Sequence, residues 1–406
     1  MNVNKIKSVL NLTVMVAALG YFVDMFDITL YGVVRLASLK DLGLSKPQEI
    51  LDAGIYIYNM QAIGMMVGGL LWGVIADKRG RLSVMFASIV LYSLGNIANA
   101  FVWDVHSYAI CRFLTGLGLA GELGAAITLV AESLPKETRG LGTTVVATLG
   151  LLGAAAAAVF GQMLPWKAAY IGGGLMGLCL LLTRFKMSES GMFAEASSGA
   201  VARGDLRMLL SRQRFGRYVL CILLGVPIYF ITGILFTFSP ELTSGMGLTT
   251  SLSAGNALLC GTLGLAFGDL CSGLLSQVLR SRRKAVGIHL LIAFSGMGIY
   301  LSSHGVSAAF IYVLCFIIGT AAGYWAVLVT MAAEQFGTNL RGTVASSVPN
   351  FVRGSAALVA GSFGLLKTSL SAIQAALLLG VICFALAFLA LWRLNETFGK
   401  DLDFYE

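Results

Sequence analysis

The stretch Glu132-Ser-Leu-Pro-Lys-Glu-Thr-Arg139-Gly140 returns 202 residues later as Glu334-Gln-Phe-Gly-Thr-Asn-Leu-Arg341-Gly342. In both, Arg lies seven positions after Glu and a Gly follows. An offset of 202 is about half of a 406-residue chain, so the sequence reads as one plan used twice. Each copy is a short polar break between long apolar runs. Only 12% of residues are charged and 57% are hydrophobic, with a mean hydropathy of +0.83. Soluble domains carry about 25% charged residues. Half that density cannot cover the surface of a soluble fold of this size. The apolar runs approach twenty residues, the length a helix needs to cross about 30 Å of hydrocarbon, and they lack the alternation of an outer-membrane barrel. A soluble enzyme and a porin are both excluded.

Working outward from the two breaks, hydropathy gives twelve spans: 9–36, 53–76, 82–103, 107–131, 141–164, 168–185, 218–239, 253–279, 285–303, 306–333, 343–366 and 370–392. The fold expected is an all-α membrane protein of twelve transmembrane helices in two pseudo-symmetric six-helix bundles. Residues 1–185 and 218–406 form the bundles, and the polar stretch 186–217 is a cytoplasmic linker. The net charge of +8 comes from cations on one side: 21 lie in segments on the side of the termini, and five (Arg35, Lys40, Lys46, Lys167, Lys367) on the other. That is the positive-inside pattern, so both termini are expected in the cytoplasm of a bacterial-type inner membrane. The basic charge orients the chain and requires no nucleic-acid partner. Seven scattered Cys and three His show no disulfide or metal spacing, so no metal or cofactor is expected. Lys5 and Lys7 precede an apolar run without a cleavage site, which reads as the first span.

The first loop, Gly73-Val-Ile-Ala-Asp77-Lys78-Arg79-Gly80-Arg81, resembles the G-x-x-x-D-[RK]-x-G-R signature of the major facilitator superfamily. Its counterpart after span eight, Gly273 to Lys284, has Gln277 where the acid would be. Span one, Gly20-Tyr-Phe-Val-Asp24-Met-Phe-Asp27-Ile-Thr-Leu-Tyr31-Gly32, is similar to the metabolite:proton symporter branch, as is span four, Arg112-Phe-Leu-Thr-Gly116-Leu-Gly-Leu-Ala-Gly121-Glu122. Arg184 to Phe193 echoes a third motif of that branch, with Gly191 replacing a Pro. Pro349-Asn350 stands where a Tyr-Asn pair is usual, and Arg353 departs from the small apolar residues of that region. The resemblance implies two parallel repeats with substrate held between them at the bilayer midplane. It also implies a latch at the cytoplasmic face, for which Asp77, Arg81, Glu132, Arg139, Glu334 and Arg341 are the candidates. Relatives in the branch import dicarboxylates, citrate, shikimate, or proline and betaine with protons.

The residues support a site on their own terms. Gly20, Asp24, Asp27 and Tyr31 lie on one helical stripe. Carboxylates within a span are costly and functional by default. Two on one stripe repel, and such a group can exchange a proton; Asp27 is the first candidate and Asp24 the second. The alternative is a structural pair neutralised by Arg112. Depths of ~12 Å for Asp27 and ~8 Å for Arg112 from the outer face allow an ion pair. Glu122 lies ten residues deeper than Arg112, where it either receives a proton or packs against Tyr or Ser. Arg353 lies roughly 16 Å from the cytoplasmic face and needs an anion there. Its planar fork suits a carboxylate. Asp269 lies at similar depth, so Arg353 is expected to pair with Asp269 until substrate displaces it. Tyr31, Tyr229, Tyr324, Trp325 and Asn350 are the remaining candidates for the cavity wall, with packing as the alternative for each aromatic. No nucleotide-binding or hydrolase motif appears. The reading is a secondary transporter, not an enzyme. It imports a small organic metabolite, an anionic or zwitterionic carboxylate, with protons by alternating access, and acts as a monomer in the bilayer. An exporter or uniporter is the rival; span five (Gly150 to Gly161) lacks the Gly-Pro run common in exporters. A non-transporting sensor is weaker, since no loop is long enough to be a signalling module.

Overall fold

A computed structural model describes residues 12–79, 81–134, 139–184, 211–249 and 251–399. Among them there is no strand. In hydrocarbon every backbone polar group must find a partner within the protein, and a helix satisfies that need within one segment. The helical passes are Leu12–Asp41, Pro47–Arg79, Arg81–Asn99, Val105–Ser133, Arg139–Met163 and Trp166–Arg184 in the first half of the chain. In the second half they are Arg212–Phe230, Ala254–Val278, Arg282–Ser302, Ala308–Ala322 continued by Trp325–Glu334, Thr338–Leu366 and Ala372–Arg393. These are spans one to twelve below. Nine of them, among the described residues, are apolar over a full membrane-crossing length. The twelve-helix fold expected from sequence is what the chain adopts.

The helices start where polar side chains can cap them. Ser253, Ser281, Ser307 and Ser371 each accept a backbone N–H of the first turn. Asp104 forms a reciprocal capping box with Ser107. Each cap satisfies a donor that the helix cannot.

The repeat seen in sequence reappears as packing. Gly64 lets span two approach the Phe113 carbonyl on span four, and Gly264 lets span eight approach the Phe316 carbonyl on span ten. A side chain at either glycine would overlap that carbonyl, so helix contact this close requires Gly.

Three departures from the expected boundaries matter. Span one runs to Asp41 and span two begins at Pro47, and Arg35, counted among the far-side cations, lies fully inside the protein. Span seven begins at Arg212, inside the stretch read as linker, and widens into a π-helical turn, Ile231–Phe236, after Pro227. Proline supplies no N–H there and disturbs the regular ladder. Span ten breaks at Gly323-Tyr324, and its second segment starts a new helix at Trp325. At Gly323 the chain passes so close to span eight that a Cβ would lie 2.6 Å from the Asp269 amide nitrogen.

The halves meet through spans two and eleven and spans five and eight. Met66 packs on Gly354, Asn350 on Gly69, and Gln162 on Gly255, with Ser253 donating to Gln162 at 3.3 Å.

Candidate functional site

Between the halves lies a cavity of about 110 Å³. Spans one, two, five, seven, eight and ten supply its wall: Tyr21, Tyr58, Tyr229 and Trp325 give aromatic surface, and Thr29, Thr232, Thr237, Thr262 and Asp269 give polar groups. Tyr229 and Trp325 meet edge to face, centroids 6.2 Å apart.

Behind this wall sits a fully buried ion pair. Arg353 Nη2 on span eleven donates to Asp24 Oδ2 on span one at 2.9 Å, and both side chains have no exposure. The guanidinium carbon lies 6.0 Å from the Tyr21 ring centre, and the Tyr229 hydroxyl lies in its field and within hydrogen-bonding reach. Arg353 Nε and Nη1 and Asp24 Oδ1 have no further hydrogen-bond partner among the described residues. Two buried charges stabilise one another here, but the pair leaves donors over. Removing either partner would strand a charge in low dielectric.

This arrangement corrects the expected partner of Arg353, which is Asp24 and not Asp269. Asp269 Oδ1 instead accepts the Ala326 amide at 3.0 Å, and the Trp325 amide also points to this carboxylate. The break in span ten creates a helix N-terminus whose amides claim the acid. Depth counting placed the two residues at one height but carried no information about which way each helix faces.

The expected ion pair of Asp27 with Arg112 is also corrected. The two are neighbours, as their depths implied, but Arg112 Nη2 donates to the backbone carbonyl of Asp27 at 3.2 Å, and Nη1 to Asn96 Oδ1 at 3.5 Å. Arg112 is boxed by the rings of Tyr31 and Tyr170 at 5.5 and 5.6 Å. Neither carboxylate oxygen of Asp27 has a hydrogen-bond donor in ordinary geometry among the described residues. Its Oδ1 leans over Gly173, where a Cβ would approach to 2.9 Å.

Tyr31, Tyr324 and Asn350 do not line the cavity. Tyr31 donates to the Gly54 carbonyl at 2.9 Å and Tyr324 to the Leu224 carbonyl at 3.0 Å, so both are packing tyrosines. Asn350 donates to the Ala120 carbonyl at 3.2 Å and braces span eleven against the first half. Glu122 is fully buried, and its charge acts on Asp24. Of the expected latch, the side chains of Asp77, Arg81, Glu132, Arg139 and Arg341 lie outside the described residues. Glu334 is described and pairs bidentately with Arg282 of its own half, at 2.6 and 2.8 Å.

Sequence reasoning missed a second tie between the halves. Arg35, fully buried, pairs with Glu241 at 2.7 Å and stacks over Phe238 at 4.5 Å, closing the far face. Arg35 continues the stripe of Tyr31 by four residues, a signal hidden by counting it only as a far-side cation. Tyr21 was also missed; it lies three residues before Asp24 on the same face, and Gly150 makes room for its ring.

A twelve-helix bundle with a midplane cavity and charge pairs bridging its halves defines a membrane carrier. Residues 17–361 match the family model of the Major Facilitator Superfamily, and the chain belongs to that family. It is a multi-pass membrane transporter, not an enzyme. The chain is 26% identical to the putative niacin/nicotinamide transporter NiaP of Bacillus subtilis (strain 168), over 91% of this chain and 92% of that protein. It is 29% identical to the 3-(3-hydroxy-phenyl)propionate transporter of Escherichia coli (strain K12), over 93% of each. Its fold superposes on the crystal structure of a D-xylose-proton symporter with a TM-score of 0.72 at 18% identity, covering 96% of this chain and 99% of the other.

Proposed function

We propose that the protein imports a small aromatic carboxylate across the bacterial inner membrane together with a proton. The observation that carries this is the Asp24–Arg353 pair joining the two halves behind an aromatic wall. The carboxylates named for similar transporters, niacin and 3-(3-hydroxyphenyl)propionate, combine a ring with an acid group. A ring of that kind suits Tyr21, Tyr229 and Trp325, and the acid suits the spare N–H groups of Arg353.

Charge balance supplies the coupling. With substrate absent, Asp24 neutralises Arg353. When Tyr21 and Tyr229 admit a substrate carboxylate to the guanidinium, Asp24 loses its partner and takes a proton, so the cluster stays neutral. The contact between spans one and eleven is then released. Residues 1–185 and 218–406 rock about the cavity, and the far-face pair Arg35–Glu241 must open and close in each cycle.

The test is accumulation of radiolabelled benzoate, nicotinate or 3-(3-hydroxyphenyl)propionate in proteoliposomes under an imposed pH gradient. Asp24→Asn is expected to lose accumulation while keeping exchange of internal for external substrate. Asp27→Asn, which lacks the cross-half contact, is expected to retain accumulation at a lower rate. Undiminished proton-driven accumulation in Asp24→Asn would remove the assignment.

A further inference from the structure

The three threonines that spans seven and eight bring to the cavity wall offer hydrogen-bond acceptors and have no proton to give. Thr232 donates its hydroxyl to the Ile228 carbonyl at 2.9 Å, Thr237 to the Thr232 carbonyl at 2.9 Å, and Thr262 to the Leu258 carbonyl at 2.8 Å. A threonine has one proton to donate, so these three show only lone pairs to the cavity. Asp269 stands on the same wall with Oδ1 engaged by the Ala326 amide. The amides it binds are backbone groups, so its position is held by the break in span ten and not by another side chain.

The opposite wall has the other character. Tyr21 lines the cavity in front of Arg353, and its phenol lies in the electrostatic field of both Arg353 and Asp269. The cavity is thus bipolar: the Arg353–Asp24 pair lies behind one wall, and a carboxylate among spent threonine hydroxyls stands on the other. An unsubstituted ring seated here would leave the Asp269 oxygens facing apolar carbon in a desolvated space, and leaving an acceptor unpaired is costly.

From this we infer that Asp269 is a specificity-determining residue that accepts a hydrogen bond from a ring hydroxyl, so the preferred substrates are hydroxylated aromatic acids. The inference rests on the proposed carboxylate–Arg353 contact and adds the recognition of the substrate's other end.

The experiment compares benzoate with its three hydroxy isomers as competitors of uptake by the full-length protein, in wild type, Asp269→Asn and Asp269→Ala. Wild type is expected to bind the best hydroxy isomer about 10- to 100-fold more tightly than benzoate. The ratio should fall in Asp269→Asn, which keeps an oxygen for the Ala326 amide, and approach one in Asp269→Ala. Because it compares two ligands on one preparation, the ratio does not depend on how much of a variant folds. A wild-type ratio near one, or a ratio that survives both substitutions, overturns the role of Asp269 while leaving the carboxylate reading intact. If neither benzoate nor any hydroxybenzoate competes, the aromatic-acid reading itself falls and this inference falls with it.

Discussion

Asp24 and Asp27 stand three residues apart on span one, both without exposure, and their surroundings differ in kind. Asp24 reaches across the molecule to Arg353 of the second half. Asp27 stays within its own half, beside an Arg112 that spends its hydrogen bonds on a backbone carbonyl and an amide oxygen. A helix turns about 100° per residue, so a step of three rotates the side chain by roughly 60° and is enough to change which bundle it faces. In a carrier that works by moving one bundle against the other, a contact within a bundle can persist through the cycle, whereas a contact between bundles is broken and remade. On the proposed mechanism Asp24 is the acid that conformational change acts upon. On the same mechanism Asp27 and Arg112 belong to a region that travels as one body.

The largest effect expected from this difference is in coupling energies. Breaking a buried pair by removing one partner costs about 3–5 kcal/mol. Arg353→Leu should lose stability of that order, and adding Asp24→Asn should recover most of it, as read from thermal unfolding in detergent. The corresponding cycle on Asp27 and Arg112 should show a smaller interaction, because Arg112 acts on that carboxylate through its field and gives it no hydrogen bond. Equal coupling in the two cycles would break the comparison.

The far-face pair extends it to a second cross-half contact. Glu241→Gln should shift the population toward opening on that face by roughly tenfold, a change of about 1.4 kcal/mol. Spin labels placed on the far-face ends of spans one and seven would report longer distances. An unchanged distribution would mean that Arg35 is held by the Phe238 ring and the Thr237 carbonyl alone.

A smaller effect is expected at Gly173. The Cβ of Gly173→Ala would press on the Asp27 carboxylate and, at 3.0 Å, on the Phe26 ring. Overpacking of this size costs about 1 kcal/mol. It should slow transport without altering the number of protons moved per substrate, since the contact lies within one half. Altered stoichiometry would bring Asp27 back into the coupling step.

The smallest effect concerns a carboxylate outside the spans, which serves as a contrast to both acids. Burial opposes the charge on Glu396, but hydrogen bonds from the Ser281 hydroxyl and from the Phe398, Arg282 and Thr397 amides outweigh it and hold the carboxyl at about 2. That is below its ordinary 4.5, so its contribution is full above about 4.5 and is lost as the pH falls toward 2. Hydrogen exchange of residues 394–399 should accelerate over that window in the wild type and be already fast, with little pH dependence of protection, in Glu396→Gln. Protection in that variant equal to the wild type would assign the anchoring of this segment to Arg283 instead, which donates to the Leu391 and Trp392 carbonyls.

Much of the site was legible as composition: the stripe of acids in span one, the arginines at 112 and 353, and Tyr229 and Trp325 on the cavity wall. Pairings were not. Arg353 was matched to Asp269 by depth, and only the break at Gly323-Tyr324 shows why Asp269 is already engaged. Tyr31 and Tyr324 share the chemistry of Tyr21 and Tyr229, yet their hydroxyls are used up on backbone carbonyls of neighbouring spans.

Hydropathy, the positive-inside asymmetry and the 202-residue repeat were sufficient to determine a twelve-span bundle in two related halves. Those properties depend on residue type and spacing along the chain, and the bilayer enforces them on each span separately. Which acid meets which arginine, where span ten breaks and which face is closed were decided by tertiary structure. They depend on the rotation of each helix about its axis and on which helix of the other half it meets, and height along a span says nothing about either.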